Sequence, residues 1–115
     1  MSEVTIYHNP RCSKSRQTLA LLEERGIDPN VVLYLEQPPT AAELRDILDA
    51  LNLEPRALMR KGESAYKEQA LASVEDADAL IVAMVSTPIL IERPIVVNGP
   101  KAALGRPPEN VLEIL

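Results

Sequence analysis

The strongest constraint on the fold is a change of hydrophobic period within the first 35 residues. Val4–His8 alternates along a β-branched and aromatic run, the pattern of a strand, and stops at the turn dipeptide Asn9-Pro10. Ser13–Arg25 then carries Leu19, Ala20 and Leu22 on a helical stripe among the helix formers Gln17, Glu23 and Glu24, with Gly26 where a C-terminal cap belongs. Val31–Leu35 is a nearly unbroken apolar run closed by Pro38-Pro39, and its shortness makes it a second strand. Strand, helix and strand in immediate succession form a βαβ unit.

The middle of the chain predicts helices. Thr40 and Glu43 have capping-box spacing, and Leu44, Ile47, Leu48 and Leu51 continue a helix to about Asn52. Pro55–Met59 reads as a short helical piece, Ser64–Leu71 as a weaker one, and Val74–Val85 as a longer one ending before Thr87-Pro88. Residues 40–86 are therefore expected to be a helical block. Arg93–Val97 follows as a third strand, Asn98-Gly99 signals a hairpin, Lys101–Leu104 is a fourth strand, and Pro107-Pro108 opens a terminal helix to Leu115. With no internal repeat, low-complexity stretch or linker, the order predicts a single α/β domain over 1–115 built on a mixed sheet.

Cys12 stands between the first strand and the first helical turn, where free backbone N–H groups and the helix dipole stabilise an anion. An ordinary thiol of pKa about 8.5 is only about 3% ionised at pH 7, whereas a pKa of roughly 6.5 would leave about three quarters of it nucleophilic. Arg11, Lys14 and Arg16 push in that direction. The polar run from Asn9 to Ser15 is a poor home for a buried apolar cysteine, so Cys12 is expected to be reactive. The motif is C-x-x-S, with no second cysteine to resolve an oxidised sulfur, so rescue requires an external thiol through a mixed disulfide. Ser15 could bond the sulfur or an oxyanion, or simply satisfy a first-turn N–H. His8, the single histidine, could keep the thiolate as a protonated imidazole or serve only to end the strand.

The net charge of -5 hides a segregation. Residues 9–18, 56–61 and 93–106 hold nine of the twelve basic side chains, among them Arg16, Arg60, Arg93 and Arg106, and no acid. If these windows converge on Cys12, their arginines make an anion pocket, since the guanidinium fork donates to a tetrahedral oxyanion bidentately. The acidic remainder, with three tyrosines and no Phe or Trp, argues against a nucleic-acid surface. No apolar run approaches the roughly 18 residues of a membrane span, and no secretory signal is visible, so a cytoplasmic location is expected. One cysteine allows no intramolecular disulfide and no Cys-rich zinc site. The bond before Pro94 could be cis and aim Arg93 into the site, or Pro94 could be a plain edge-strand proline.

Three stretches together resemble the glutaredoxin-coupled arsenate reductase family: His8-Asn9-Pro10-x-Cys12-x-x-Ser15-Arg16, Arg56–Lys61, and Pro88–Val97. The likeness continues through Leu33–Pro39 and Gly105–Pro108. The resemblance implies a thioredoxin-like mixed four-stranded sheet with flanking helices and a helical insertion between the second and third strands. It also implies reduction of arsenate to arsenite, with no bound cofactor or metal, glutathione as co-substrate and glutaredoxin as partner. On that basis Cys12 is the nucleophile, Arg60, Arg93 and Arg106 hold the oxyanion, and His8 lowers the thiol pKa. Asn9, Ser15, Arg16 and a cis-linked Pro94 support them. Two alternatives stand beside it: a glutathione-dependent thiol/disulfide reductase of the same family with another substrate, and an Spx-like regulator of RNA polymerase, whose usual C-x-x-C switch is interrupted here by Ser15.

Overall fold

β1 (Val4–His8), α1 (Ser13–Glu24), β2 (Asn30–Leu33), β3 (Ile95–Asn98) and β4 (Lys101–Leu104), with a terminal 3-10 segment Pro108–Ile114, make up one compact unit of a computed structural model that describes residues 4–115. The first three residues of the expected 1–115 domain lie outside the described residues. The strands form one sheet in the order β2-β1-β3-β4, with β1 parallel to β2 and the other neighbours antiparallel. This is the mixed four-stranded, thioredoxin-like α/β sheet that was expected. Val4, Ile6 and His8 alternate to the buried face of β1. Val4 and Ile6 join Leu22, Val96 and Val111 in a core that Leu19, Leu21 and Ile27 flank. Burying each such side chain contributes about 1.5–3 kcal/mol, which is what fixes α1 against the sheet.

The end of α1 follows its sequence. Gly26 takes φ +75°, its N–H bonds Glu23 O, and the Ile27 N–H bonds Leu22 O, the paired closure of a Schellman motif. β2 departs from expectation by stopping at Leu33, because the Glu36 and Gln37 N–H groups both fold back onto Leu33 O. It is an edge strand with Val31 45% exposed, so its apolar run does not mark a buried centre. The hairpin falls where Asn98-Gly99 signals it, and β4 covers Lys101–Leu104 as expected. Asn98 pairs with Lys101, leaving Gly99 and Pro100 as the central residues; Gly99 takes φ +60° and Pro100 cannot, which selects a type II′ turn. β3 begins at Ile95 rather than Arg93, since Pro94 has no N–H for the ladder. The Arg93–Pro94 peptide is cis, and so is Arg106–Pro107.

The second unit, Pro38–Glu92, is helical. It holds α2 (Ala41–Leu51), α3 (Ser64–Glu68), α4 (Ala77–Ser86) and the 3-10 segments Pro55–Leu58, Leu71–Ser73 and Pro88–Leu90. The capping box is complete: Glu43 N–H donates to Thr40 Oγ1 and Thr40 N–H to Glu43 Oε1. α4 starts three residues later than expected because the Asp76 carboxylate accepts from Asp78 N–H and caps it there. Arg56 donates to Tyr66 Oη (2.6 Å), Leu71 O (3.0 Å) and Val74 O, so this basic residue ties three turns of its own unit together. No helix among the described residues is long and apolar enough to cross a membrane.

Gly105 marks a close approach. Its N–H donates to Pro94 O (2.9 Å) one step beyond the β3–β4 ladder. A Cβ there would lie 2.7 Å from Pro94 Cγ and nearer still to Thr18 Oγ1, itself held on Lys14 O at 2.8 Å. Gly105→Ala is expected to cost about 1–3 kcal/mol through overpacking. Thermal unfolding checks this, and a melt superimposable on wild type would show that α1 yields without cost.

Candidate active site

The sheet registers bring four chain segments to one end. His8 pairs with Leu33, Tyr7 with Ile95, and Ile95 with Leu104, so the exits of β1, β2 and β4 and the entry to β3 lie side by side. Across that end the order is the turn after β2, the cysteine loop after β1, Arg93-Pro94 before β3, and Gly105-Arg106 after β4. Asn98 and Lys101 are at the opposite end, so Lys101 does not join the expected cluster.

The loop closes on itself. Cys12 N–H donates to Asn9 O (3.0 Å), Arg11 N–H to Asn9 Oδ1 (3.0 Å), and Arg16 Nη1 to Pro10 O (2.8 Å). Cys12 thereby becomes the N-cap residue of α1, extended at φ -93° and ψ 122° and only partly exposed. Burial alone pushes its thiol pKa up. The Ser15 N–H, the Arg93 charge, the Lys14 N–H and the Arg106 charge together outweigh that, and the pKa falls below the ordinary thiol value. A thiol whose pKa is lower folded than unfolded stabilises the fold most above the unfolded value, and that contribution is lost as pH falls through the folded one.

His8 is buried at 6% exposure, and its Nδ1 lies 2.6 Å from Ser15 Oγ. Asn9 N–H also donates to that hydroxyl (3.0 Å), so Ser15, fully buried, joins the end of β1 to the first turn of α1. Burial and the charge of Arg16 lower the histidine pKa. A neutral ring is therefore favoured, in place of the protonated imidazole that the sequence suggested; what it can offer the loop is a hydrogen bond through Ser15. The pH midpoint of Cys12 alkylation by iodoacetamide is expected below the ordinary thiol range. His8→Gln should leave that midpoint in place, whereas a rise would show that the ring acts as a cation.

Arg93 and Arg106 both favour the Cys12 thiolate, and Arg106 Nη1 donates to Arg93 O (3.3 Å). The Arg93 Nε and Nη1 atoms are buried. Arg60 belongs to the helical unit, where it pairs with Glu63 (2.6 Å) and Glu92 (3.8 Å). Among the described residues no three His, Cys, Asp or Glu side chains are grouped to hold a metal. Two residues of the site's frame carry no role in the sequence reading, Thr18 and Gly105, the second entering there only within the resembling stretch Gly105–Pro108. An isolated glycine ending a strand is a signal of close backbone approach and could have found the second.

The ArsC family model matches residues 7–114. The chain is 60% identical to YfgD of Escherichia coli (strain K12), described as an uncharacterized protein, over 98% of this chain and 97% of that one. It is 51% identical, over the full length of both, to an arsenate reductase of Neisseria meningitidis serogroup B. A solved structure of an arsenate reductase from Vibrio cholerae superposes with a TM-score of 0.94 at 57% identity, covering 97% of each chain.

Proposed function

The chain belongs to the ArsC family, and on that footing we propose that it is an arsenate reductase. It acts in the cytoplasm with no bound cofactor or metal, takes glutathione as co-substrate, and is regenerated by glutaredoxin. The observation that carries the reading is a thiol of lowered pKa at a helix N-terminus with Arg93 and Arg106 at its side. A thiolate alone would serve many redox reactions. A thiolate paired with two fixed guanidinium groups suits a substrate that is itself a tetrahedral oxyanion.

The Cys12 thiolate attacks arsenic, an S–As bond forms, and an arsenate oxygen leaves as water after taking up protons. Arg93 and Arg106 neutralise the charge on the remaining oxygens. A glutathione thiolate then attacks the Cys12 sulfur. An S–S bond forms, the S–As bond breaks, and its electron pair stays on arsenic, which goes from As(V) to As(III) and leaves as arsenite after protonation. The two sulfurs carry the oxidation as a mixed disulfide, which the glutaredoxin thiol resolves. Asn9, Ser15 and Arg16 hold the loop, His8 acts through Ser15 as a positioning residue, and Pro94 sets Arg93. For Arg60 we propose the oxyanion role from the family match.

The ion pairs of Arg60 with Glu63 and Glu92 favour keeping a second reading, a glutathione-dependent thiol/disulfide reductase with another substrate. Purified protein with glutathione and glutaredoxin is expected to convert arsenate to arsenite. If it fails to do so yet reduces a glutathione mixed disulfide, the second reading replaces the first.

A further inference from the structure

We propose that the groove on the β2 side of the cysteine loop is the subsite for the attacking glutathione. This rests on the reductase reading and adds where its second substrate sits. The groove has a volume of about 350 Å³ and is lined by Asn9, Arg11, Leu33, Leu35 and Glu36 among others. That is within the roughly 300–1,000 Å³ typical of small-molecule sites.

The first support is stereochemical. Displacement at a divalent sulfur is in line: the incoming thiolate enters opposite the bond that breaks. Arg93 and Arg106, the groups that favour an anion at the sulfur, stand on the β3–β4 side of the cysteine loop, and the turn after β2 stands on the other. With arsenic held by those arginines, the in-line approach of the thiolate that expels it lies on the β2 side, where the groove is walled by Asn9, Pro10 and Arg11, the three residues that precede Cys12. The step adds one S–S bond, breaks the S–As bond and needs no reactant beyond glutathione.

The second support is chemical match. Glutathione carries two carboxylates and one ammonium on a short, partly apolar backbone. Arg11 suits a carboxylate, Glu36 suits the ammonium, and Leu33 and Leu35 supply apolar wall. Tyr34 is 1% exposed and anchors the turn, while Leu35 is turned outward at 43% exposure. The Glu36 N–H on Leu33 O (2.9 Å) fixes that presentation.

The test uses full-length protein in two arms. In the first, S-methylglutathione, which cannot form a disulfide, is titrated into isotope-labelled protein. Amide shifts at Leu33, Leu35 and Glu36 are expected; shifts confined to Ile95, Gly105 and Arg106, or none at saturating ligand, overturn the groove. In the second, Leu35→Asp and Glu36→Lys are each expected to raise the KM for glutathione about tenfold. The KM for arsenate and the Cys12 alkylation rate should stay at wild-type values. An unchanged glutathione KM, or an equal rise for arsenate, also overturns the proposal. Absence of arsenate turnover in wild type, with the shifts at Leu33, Leu35 and Glu36 present, overturns the reductase reading and supports the groove.

Discussion

Cys12→Ser is expected to lower arsenate turnover by about 10³-fold or more, the order of loss seen when a covalent nucleophile is removed. Sulfur can be ionised at neutral pH by the surroundings of α1's first turn; an alcohol in the same place cannot. Nor can oxygen accept the two-electron oxidation that arsenate reduction requires, so the variant lacks both the attack and the sink. Loss of fold does not explain the result in advance. Residue 12 is an N-cap, and serine is a preferred N-cap residue where cysteine is not, so the variant should melt at or above the wild-type temperature. Activity and stability are expected to move in opposite directions. Because Cys12 is the chain's single cysteine, iodoacetamide must add one label to wild type and none to the variant. Turnover near wild type in an unlabelled, folded variant would remove Cys12 from the mechanism.

The parts of the fold legible in the sequence are those whose cause is local. Period-two alternation gave β1, the Thr40/Glu43 pair gave the start of α2, and Gly26 gave the end of α1, because in each the deciding hydrogen bonds lie within a few residues. The misjudged features depend on distant neighbours. The apolar residues of β2 cannot announce that no strand pairs beyond them. Charge windows share that blindness. The window 56–61 stops two residues short of Glu63 and the window 93–106 begins just past Glu92, the two carboxylates that Arg60 meets. Within one such window, Arg56 serves packing. In another, Lys101 goes to the far end of the sheet while Arg93 and Arg106 come to the thiol. The place of Cys12 at the N-terminus of α1 was legible because it follows from chain position alone. The state of His8 was not, because burial and Arg16 decide it.

Replacing Arg93 separates the two roles proposed for it, holding the oxyanion and lowering the thiol pKa. Arg93→Ala is expected to lower kcat/KM for arsenate by about 10²–10³-fold, the loss that follows removal of one preorganised donor from an oxyanion site. The same change should raise the alkylation midpoint of Cys12, since the Arg93 charge is among the influences holding the thiol pKa down. Arg93→Lys distinguishes the two effects. Lysine keeps the charge but loses the planar fork, so the midpoint should return toward wild type while arsenate turnover stays low. Arg106 contributes to the thiolate too, yet its guanidinium is oriented by a hydrogen bond to the Arg93 carbonyl, which survives side-chain replacement. Arg93→Ala therefore leaves the second arginine in place, and the residual rate reports what Arg106 can do alone. If Arg93→Lys restored turnover in full, charge alone would be sufficient and bidentate recognition of the oxyanion would be refuted. If neither variant moved the alkylation midpoint, the thiolate would owe its stability to the Ser15 and Lys14 N–H groups, and the arginines would act on substrate only.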